Sequence, residues 1–326
     1  MLWKRLTFGP ILILLVIAGA WLDARLDRMP APGWLRPFLT PERAPVAEPA
    51  DPLVAELAAP PATLPPGMVV FPIMLLLSVA GARELARILR SKGIPAETWL
   101  TCALAAMGLG VVYFAPRSDD AFFGTTLVST ATALTLVGSM WYYARHKKVE
   151  GTIAAGGGAL VAFSYLGILA GFIPAIRREH DVWVLVWVLL VTKSSDIGAF
   201  FTGKAIGRHK LIFWLSPGKT WEGLVGGLVL AGLVGMATTW PLAWLAPGET
   251  PAPLEGLYAG ALFALVGTVG DLMASLIKRD AGVKDSGQSL PGFGGVLDVI
   301  DSPLLVAPFA FWWLRLFVGG PLDVYP

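Results

Sequence analysis

The stretch Gly270–Ser302, GDLMASLIKRDAGVKDSGQSLPGFGGVLDVIDS, starts at the foot of one apolar run and stops just before another. It carries Asp271, Asp280, Asp285, Asp298 and Asp301, with Lys278, Arg279 and Lys284 among them. The flanking runs, Leu254–Ile277 and Pro303–Val318, read as membrane spans. Charge set between two such runs faces a protein interior or a water-filled cavity, because hydrocarbon does not tolerate it.

Working outward, seven further apolar runs appear: Phe8–Leu22, Gly67–Leu89, Thr98–Phe114, Phe122–Tyr143, Thr152–Ile173, Val182–Phe201 and Leu224–Leu245. The 326 residues are 55% hydrophobic and 15% charged, with a mean hydropathy of +0.66. Soluble domains carry about 25% charge. Backbone groups in hydrocarbon must satisfy one another, so the runs are expected to be helices. The sequence therefore predicts an all-α, polytopic integral membrane protein with about nine transmembrane helices. It divides into a first helix at 1–22, a Pro/Ala-rich extracytoplasmic loop at 23–66, helices and loops at 67–181, and a last transmembrane region at 182–326 that holds the stretch Gly270–Ser302. Lys4 and Arg5 before an apolar run, with Ala18-Gly19-Ala20 behind it, also fit a cleaved signal peptide, the alternative to an uncleaved first helix.

Most of the 25 lysines and arginines fall on one side if each run crosses once, which places the N-terminus in the cytoplasm. Arg177 and Arg178 oppose that rule, with Glu179 and Asp181 beside them. A net charge of +2 is too small to argue for nucleic acid. The lone Cys102 excludes a disulfide within the chain. His146, His180 and His209 are scattered through polar segments and read as solvated.

Asp271, Ser275 and Lys278 are spaced i, i+4, i+7 and share a helix face, with Arg279 next to it. Asp298 and Asp301, spaced i, i+3, project together. Three carboxylates are a candidate oxygen-ligand set for Mg²⁺, which binds substrate phosphates beside one or two carboxylates. The plainer readings are a buried ion pair of Asp271 with Lys278 or another base and, for Asp298, a charge offsetting a helix dipole. Between these helices, Gly292, Gly294 and Gly295 allow backbone N–H groups to approach an anion, with Lys284 and Asp285 nearby, or make an ordinary turn. Upstream, Asp196 interrupts an apolar run, and Lys204, Arg208 and Lys210 form a basic loop of the kind anionic lipid attracts. In SPGKTWEG, a turn at Ser216-Pro217-Gly218 places Lys219 and Thr220 at a helix start, where anions bind. A nucleotide P-loop is excluded, because its first glycine and preceding strand are missing. The residues point to a membrane enzyme handling a metal–phosphate substrate where lipid head groups reach.

The run Ser275-Leu-Ile-Lys278-Arg279, Lys284-Asp285-Ser-Gly287, Pro291-Gly292, Gly294-Gly295 and Asp298…Asp301-Ser302 resembles the signature of the phosphatidate cytidylyltransferase (CDP-diacylglycerol synthase) family. DIGAFFTGKAIGRHK and SPGKTWEG resemble a second block of that family. The resemblance is strong over 193–302 and upstream is one of hydropathy only. It implies transfer of the cytidylyl group of CTP to phosphatidate in the cell (inner) membrane, at a cytoplasm-facing site, by an enzyme that forms homodimers. It implies Mg²⁺, alone or with a second cation, held by Asp271, Asp298 and Asp301. It further implies phosphate binding by Lys219, Lys278, Arg279 and Lys284, with Ser275 and Asp285 in the same catalytic group, and a nucleotide side lined by Asp196, Ser216, Thr220, Glu222, Gly292, Gly294 and Gly295. Phe293 and Val299 replace the family's His and Arg. A phosphomonoester, with a second pKa near 6, arrives already ionised, so no proton transfer is expected of residue 293. A CTP-dependent polyprenol or lipid kinase and a catalytically degenerate homologue are the competing readings.

Overall fold

The structure, a computed structural model, describes residues 2–30, 32, 63–115, 121–145, 149–290, 292 and 294–319. Most of the expected 23–66 loop, His146 and Phe293 lie outside the described residues. Its helices are α1 (Leu2–Leu26), α2 (Val70–Ser91), α3 (Thr98–Tyr113), α4 (Ala121–Ala144), α5 (Thr152–Val161), α6 (Leu169–Glu179), α7 (Val182–Ile206), α8 (Trp221–Leu245), α9 (Pro253–Asp280) and α10 (Leu297–Phe317). A wide π-helical stretch, Ala162–Ile168, joins α5 to α6, so the two form one rod. A short antiparallel hairpin, β1 (Lys210–Ile212) with β2 (Ser216–Thr220), lies between α7 and α8.

The all-α membrane architecture matches the sequence expectation, but the count of nine is a little high. Among the described residues, seven helices are long and apolar enough to cross a membrane. The two that fall short have evident reasons. The second half of α2 carries Arg83, Glu84, Arg87 and Arg90, and α3 has only 16 residues, about 24 Å against a hydrocarbon layer of about 30 Å. These two are consecutive in the chain, so omitting both leaves the sidedness of every other connection unchanged.

Glycine sets how closely the helices approach. A Cβ added at Gly223 or Gly227 of α8 would stand 2.9 Å from the carbonyl oxygens of Ala199 and Ser195 on α7. One added at Gly260 of α9 would stand 2.1 Å from the Ala231 oxygen, and one at Gly256 2.6 Å from the Gly235 oxygen. These small-residue pairs pack α7, α8 and α9 within one subunit. The three N-termini are fixed locally. Asp181 Oδ1 accepts from Trp183 N at 2.9 Å, Thr220 Oγ1 accepts from Gly223 N at 3.1 Å, and Pro253 opens α9 beside Glu255, whose Oε2 accepts from Ala252 N at 2.7 Å.

The connections gather at two ends. At one, buried Arg177 pairs with Asp23 at 2.5 Å and with Asp27. Asp23 Oδ1 also accepts from Val69 N at 2.8 Å. Arg178 donates to the carbonyls of Tyr113 and Ala115. The two arginines that opposed the orientation rule are therefore structural, tying the ends of α1, α3 and α6 together. His180 is also corrected: it is buried here, 3.4 Å from Glu249, and not solvated. The other end collects the hairpin, the last turns of α2 and α9, and the first turn of α10.

Candidate active site

Two lysines organise the second end. Lys219, at the end of β2, lies 2.6 Å from Asp271 on α9 and donates to the Thr268 carbonyl at 3.3 Å. This contact joins the SPGKTWEG block to the stretch that begins at Gly270. Lys219 and Asp271 line a cavity of about 290 Å³ with Ser195, Asp196, Thr220 and Thr268. Lys278, buried about two turns further along α9, lies 2.6 Å from Asp298 Oδ1. The sequence allows Asp271 either Lys278 or another base; the structure pairs it with another base, Lys219, while Lys278 takes Asp298.

Asp298 has little capacity left. Its Oδ2 accepts from Ser286 N, Ser286 Oγ and Gly295 N, each at 2.9 Å. Beside it is Glu84 of α2, fully buried, which accepts from Ser286 Oγ (2.9 Å), Ser289 Oγ (2.6 Å), Val296 N (2.9 Å) and Leu297 N (3.0 Å). The last two are donors at the start of α10 that have no partner within the helix. Glu84 is therefore a cap supplied by another helix, and its negative charge suits the positive end of the α10 dipole. Sequence reasoning missed it, although an acid inside the apolar run Gly67–Leu89 was the available signal.

The glycines are needed here, for a different anion from the one expected. Gly294 has φ +97, and a Cβ on it would stand 2.7 Å from Asp298 Oδ2. A Cβ on Gly295 would stand 2.3 Å from Glu84 Oε2. The N–H of Gly295 serves Asp298, and that of Gly294 closes a bridge to the Leu290 carbonyl at 3.1 Å. The sequence leaves these groups either as a phosphate cradle or as an ordinary turn; here the Gly295 N–H meets the protein's own Asp298 carboxylate and the Gly294 N–H a loop carbonyl. Gly292, also at positive φ (+88), turns the loop between them.

Asp301 is buried, with Oδ1 accepting from Ser302 N at 2.6 Å. It lies in the field of Asp271, and of Lys193 and Lys278 with opposite sign. Tyr165, on the π-helical turn, lies in the field of both acids. Its buried hydroxyl has no hydrogen-bond partner, which costs about 1–3 kcal/mol unless something else meets it. Among the described residues no three His, Cys, Asp or Glu side chains converge as a metal site. Of the three candidate ligands, Asp271 and Asp301 are not locked by a set of donors, and they share one electrostatic field with the orphan hydroxyl of Tyr165. That set fits a hydrated hard cation completed by substrate oxygens.

The other expected residues are spread around this centre. Asp196 faces the cavity and lies 3.4 Å from Lys193. Thr220 is buried as the α8 cap, Ser216 is half-buried on β2, and Ser275 is half-buried on α9. Arg279, Lys284 and Asp285 are exposed, and Arg279 donates to the Val283 carbonyl at 3.4 Å. Glu222 departs from the group. It accepts from the His209 ring at 2.6 Å and from His209 N at 3.2 Å, on the face of α8 away from Thr220.

Comparison with known proteins extends the match beyond the signature. The model of the cytidylyltransferase family matches residues 58–317. Phosphatidate cytidylyltransferase of Synechocystis sp. is 32% identical over 261 residues, covering 74% of this chain and 87% of that one. The enzyme of the same name from Bacillus subtilis is 41% identical over 160 residues, 48% of this chain and 57% of that one. Uncharacterized protein YnbB of Escherichia coli is 41% identical over 143 residues, 44% of this chain and 46% of that one. The chain thus spans about half the length of these last two relatives.

Proposed function

This chain belongs to the cytidylyltransferase family, and on that premise we propose that it transfers the cytidylyl group of CTP to phosphatidate. The products are CDP-diacylglycerol and pyrophosphate. The observation that carries the reading is the Lys219–Asp271 contact, which joins both signature blocks around one cavity at the polar end of a membrane bundle.

An oxygen of the lipid phosphate attacks the α-phosphorus of CTP, and the bond to the β-phosphate oxygen breaks. The nucleophile is already anionic near neutral pH and needs no general base. Catalysis then rests on positioning and charge neutralisation. Lys219 and Lys278 bring positive charge to the transferred phosphate, with exposed Arg279 and Lys284 for the leaving pyrophosphate. Asp298 and Glu84 hold the 286–297 loop and keep Lys278 in place. Mg²⁺, when bound, would neutralise phosphate charge at Asp271 and Asp301. Asp298 is reassigned from ligand to anchor in this proposal, because its oxygens already accept four contacts.

The test uses purified protein, phosphatidate vesicles and CTP labelled in the cytosine ring or, in a parallel reaction, at the γ-phosphate. Label in the lipid fraction supports the proposal. Lipid labelled only by the γ-phosphate of CTP indicates a kinase, and unlabelled lipid a degenerate homologue. The proposal includes a cytoplasmic site in the inner membrane and a homodimer. Cysteines at Gln288 and Ala47, in a Cys102→Ala background, should react from opposite sides of the membrane, and light scattering in detergent should give twice the chain mass.

A further inference from the structure

On the opposite face of the α7–α8 pair from the catalytic cavity lies a larger groove of about 1140 Å³. One wall is a stripe on α8, Trp221, Val225, Val229 and Leu233, each at least half exposed. Spaced every four residues, the stripe runs about 18 Å, slightly more than half of a hydrocarbon layer of about 30 Å. The length therefore suits one acyl chain within one leaflet. The other wall is α7, with Phe201 and Ile206 exposed toward it. The floor is where Gly226 meets Thr202 so closely that a Cβ would overlap it.

The groove is polar at one end only. Its mouth carries Arg208, His209 and Lys210, with Glu222 already engaged by His209. Arg208 and Lys210 are exposed and have no carboxylate partner among the described residues. Exposed Phe213, Trp214 and Trp221 surround the same level. Aromatic residues of this kind mark the head-group layer. An apolar channel one leaflet deep, closed at head-group level by two unpaired cations, has the chemistry of an anionic phospholipid.

We infer that this groove binds an anionic phospholipid, one acyl chain along α8 and the phosphate between Arg208 and Lys210. A second copy of the chain is the rival occupant. Two copies sharing one membrane orientation would set these cations at equal depth across a self-complementary interface, like charge facing like. The inference needs only the membrane placement and holds whether or not the chain transfers a cytidylyl group.

Native mass spectrometry of delipidated protein, after adding dioleoyl phosphatidate, phosphatidylglycerol or phosphatidylcholine, tests it. The two anionic lipids should be retained over phosphatidylcholine. Arg208→Gln and Lys210→Gln should each weaken that retention about fivefold, and Val229→Trp should block all three lipids. The glutamine variants are at the surface and decide the matter even if Val229→Trp fails to fold. Equal retention of phosphatidylcholine, or unchanged retention in both glutamine variants, would overturn the inference. So would a disulfide between two copies through Val229→Cys in a Cys102→Ala background.

Discussion

At one end of the bundle, Arg177 lies between Asp23 and Asp27 with 4% of its side chain exposed. At the other end, Lys219 faces Asp271 with 24% and 34% exposed. Both are lysine- or arginine-to-aspartate contacts on a membrane bundle, and charge alone would not separate them. Burial and saturation do. The Arg177 guanidinium is spent on two carboxylates and the His180 carbonyl at 3.0 Å. Lys219 has one carboxylate and one longer carbonyl contact, beside an open cavity. A saturated buried pair fixes the ends of helices, whereas an open one can exchange partners with a substrate phosphate.

Four substitutions break or sharpen that contrast. Asp301→Asn, at the open end, should lower turnover by at least about 1000-fold, about 4 kcal/mol of barrier, without lowering the melting temperature in detergent. Lipid labelling and a thermal melt read the two quantities, and near-native turnover would refute its role. Arg177→Met, at the closed end, should do the reverse. It leaves two buried or half-buried carboxylates unpaired, which costs about 3–5 kcal/mol of stability, while turnover per folded molecule stays within about threefold. Glu84→Gln sharpens the comparison, because Glu84 is saturated yet sits at the open end. An amide accepts with one oxygen only, so some of the four donors lose their partner, at about 1–3 kcal/mol. Melting temperature and turnover should fall together, since the same loop holds Asp298.

The smallest effect concerns Glu249, in the turn between α8 and α9. Burial works to raise its carboxyl pKa, but hydrogen bonds from the His180 ring and the Asp181 N–H outweigh it and hold it lowered. Its stabilising contribution is then complete above the ordinary carboxylate pKa of about 4.3 and is lost as pH falls through the lowered folded value. Glu249→Gln should flatten the fall in melting temperature between pH 5 and pH 3. Because the group is more than a third exposed, the difference should not exceed about 2 °C; identical pH profiles would show that the pair contributes nothing.

Hydropathy alone specified the helical bundle, because hydrocarbon leaves a backbone no other way to satisfy its own N–H and C=O groups. The four-residue spacing of Gly223 and Gly227, and of Gly256 and Gly260, is local in the same way and by itself permits close helix packing. So is the placing of Asp271, Asp298 and Asp301, acids flanking one loop between apolar runs. What each acid does was not local. Ser286 and Glu84 are 202 residues apart, and no periodicity in α2 states which distant loop its buried carboxylate will meet. Only the tertiary contacts showed that the Gly295 N–H is taken by Asp298 and those of Val296 and Leu297 by Glu84, that Arg177 and His180 are buried, and that Glu222 turns to His209. A charge finds its partner through the closure of the whole chain, and the sign and saturation of that partner decide whether it stabilises the fold or remains open to a ligand.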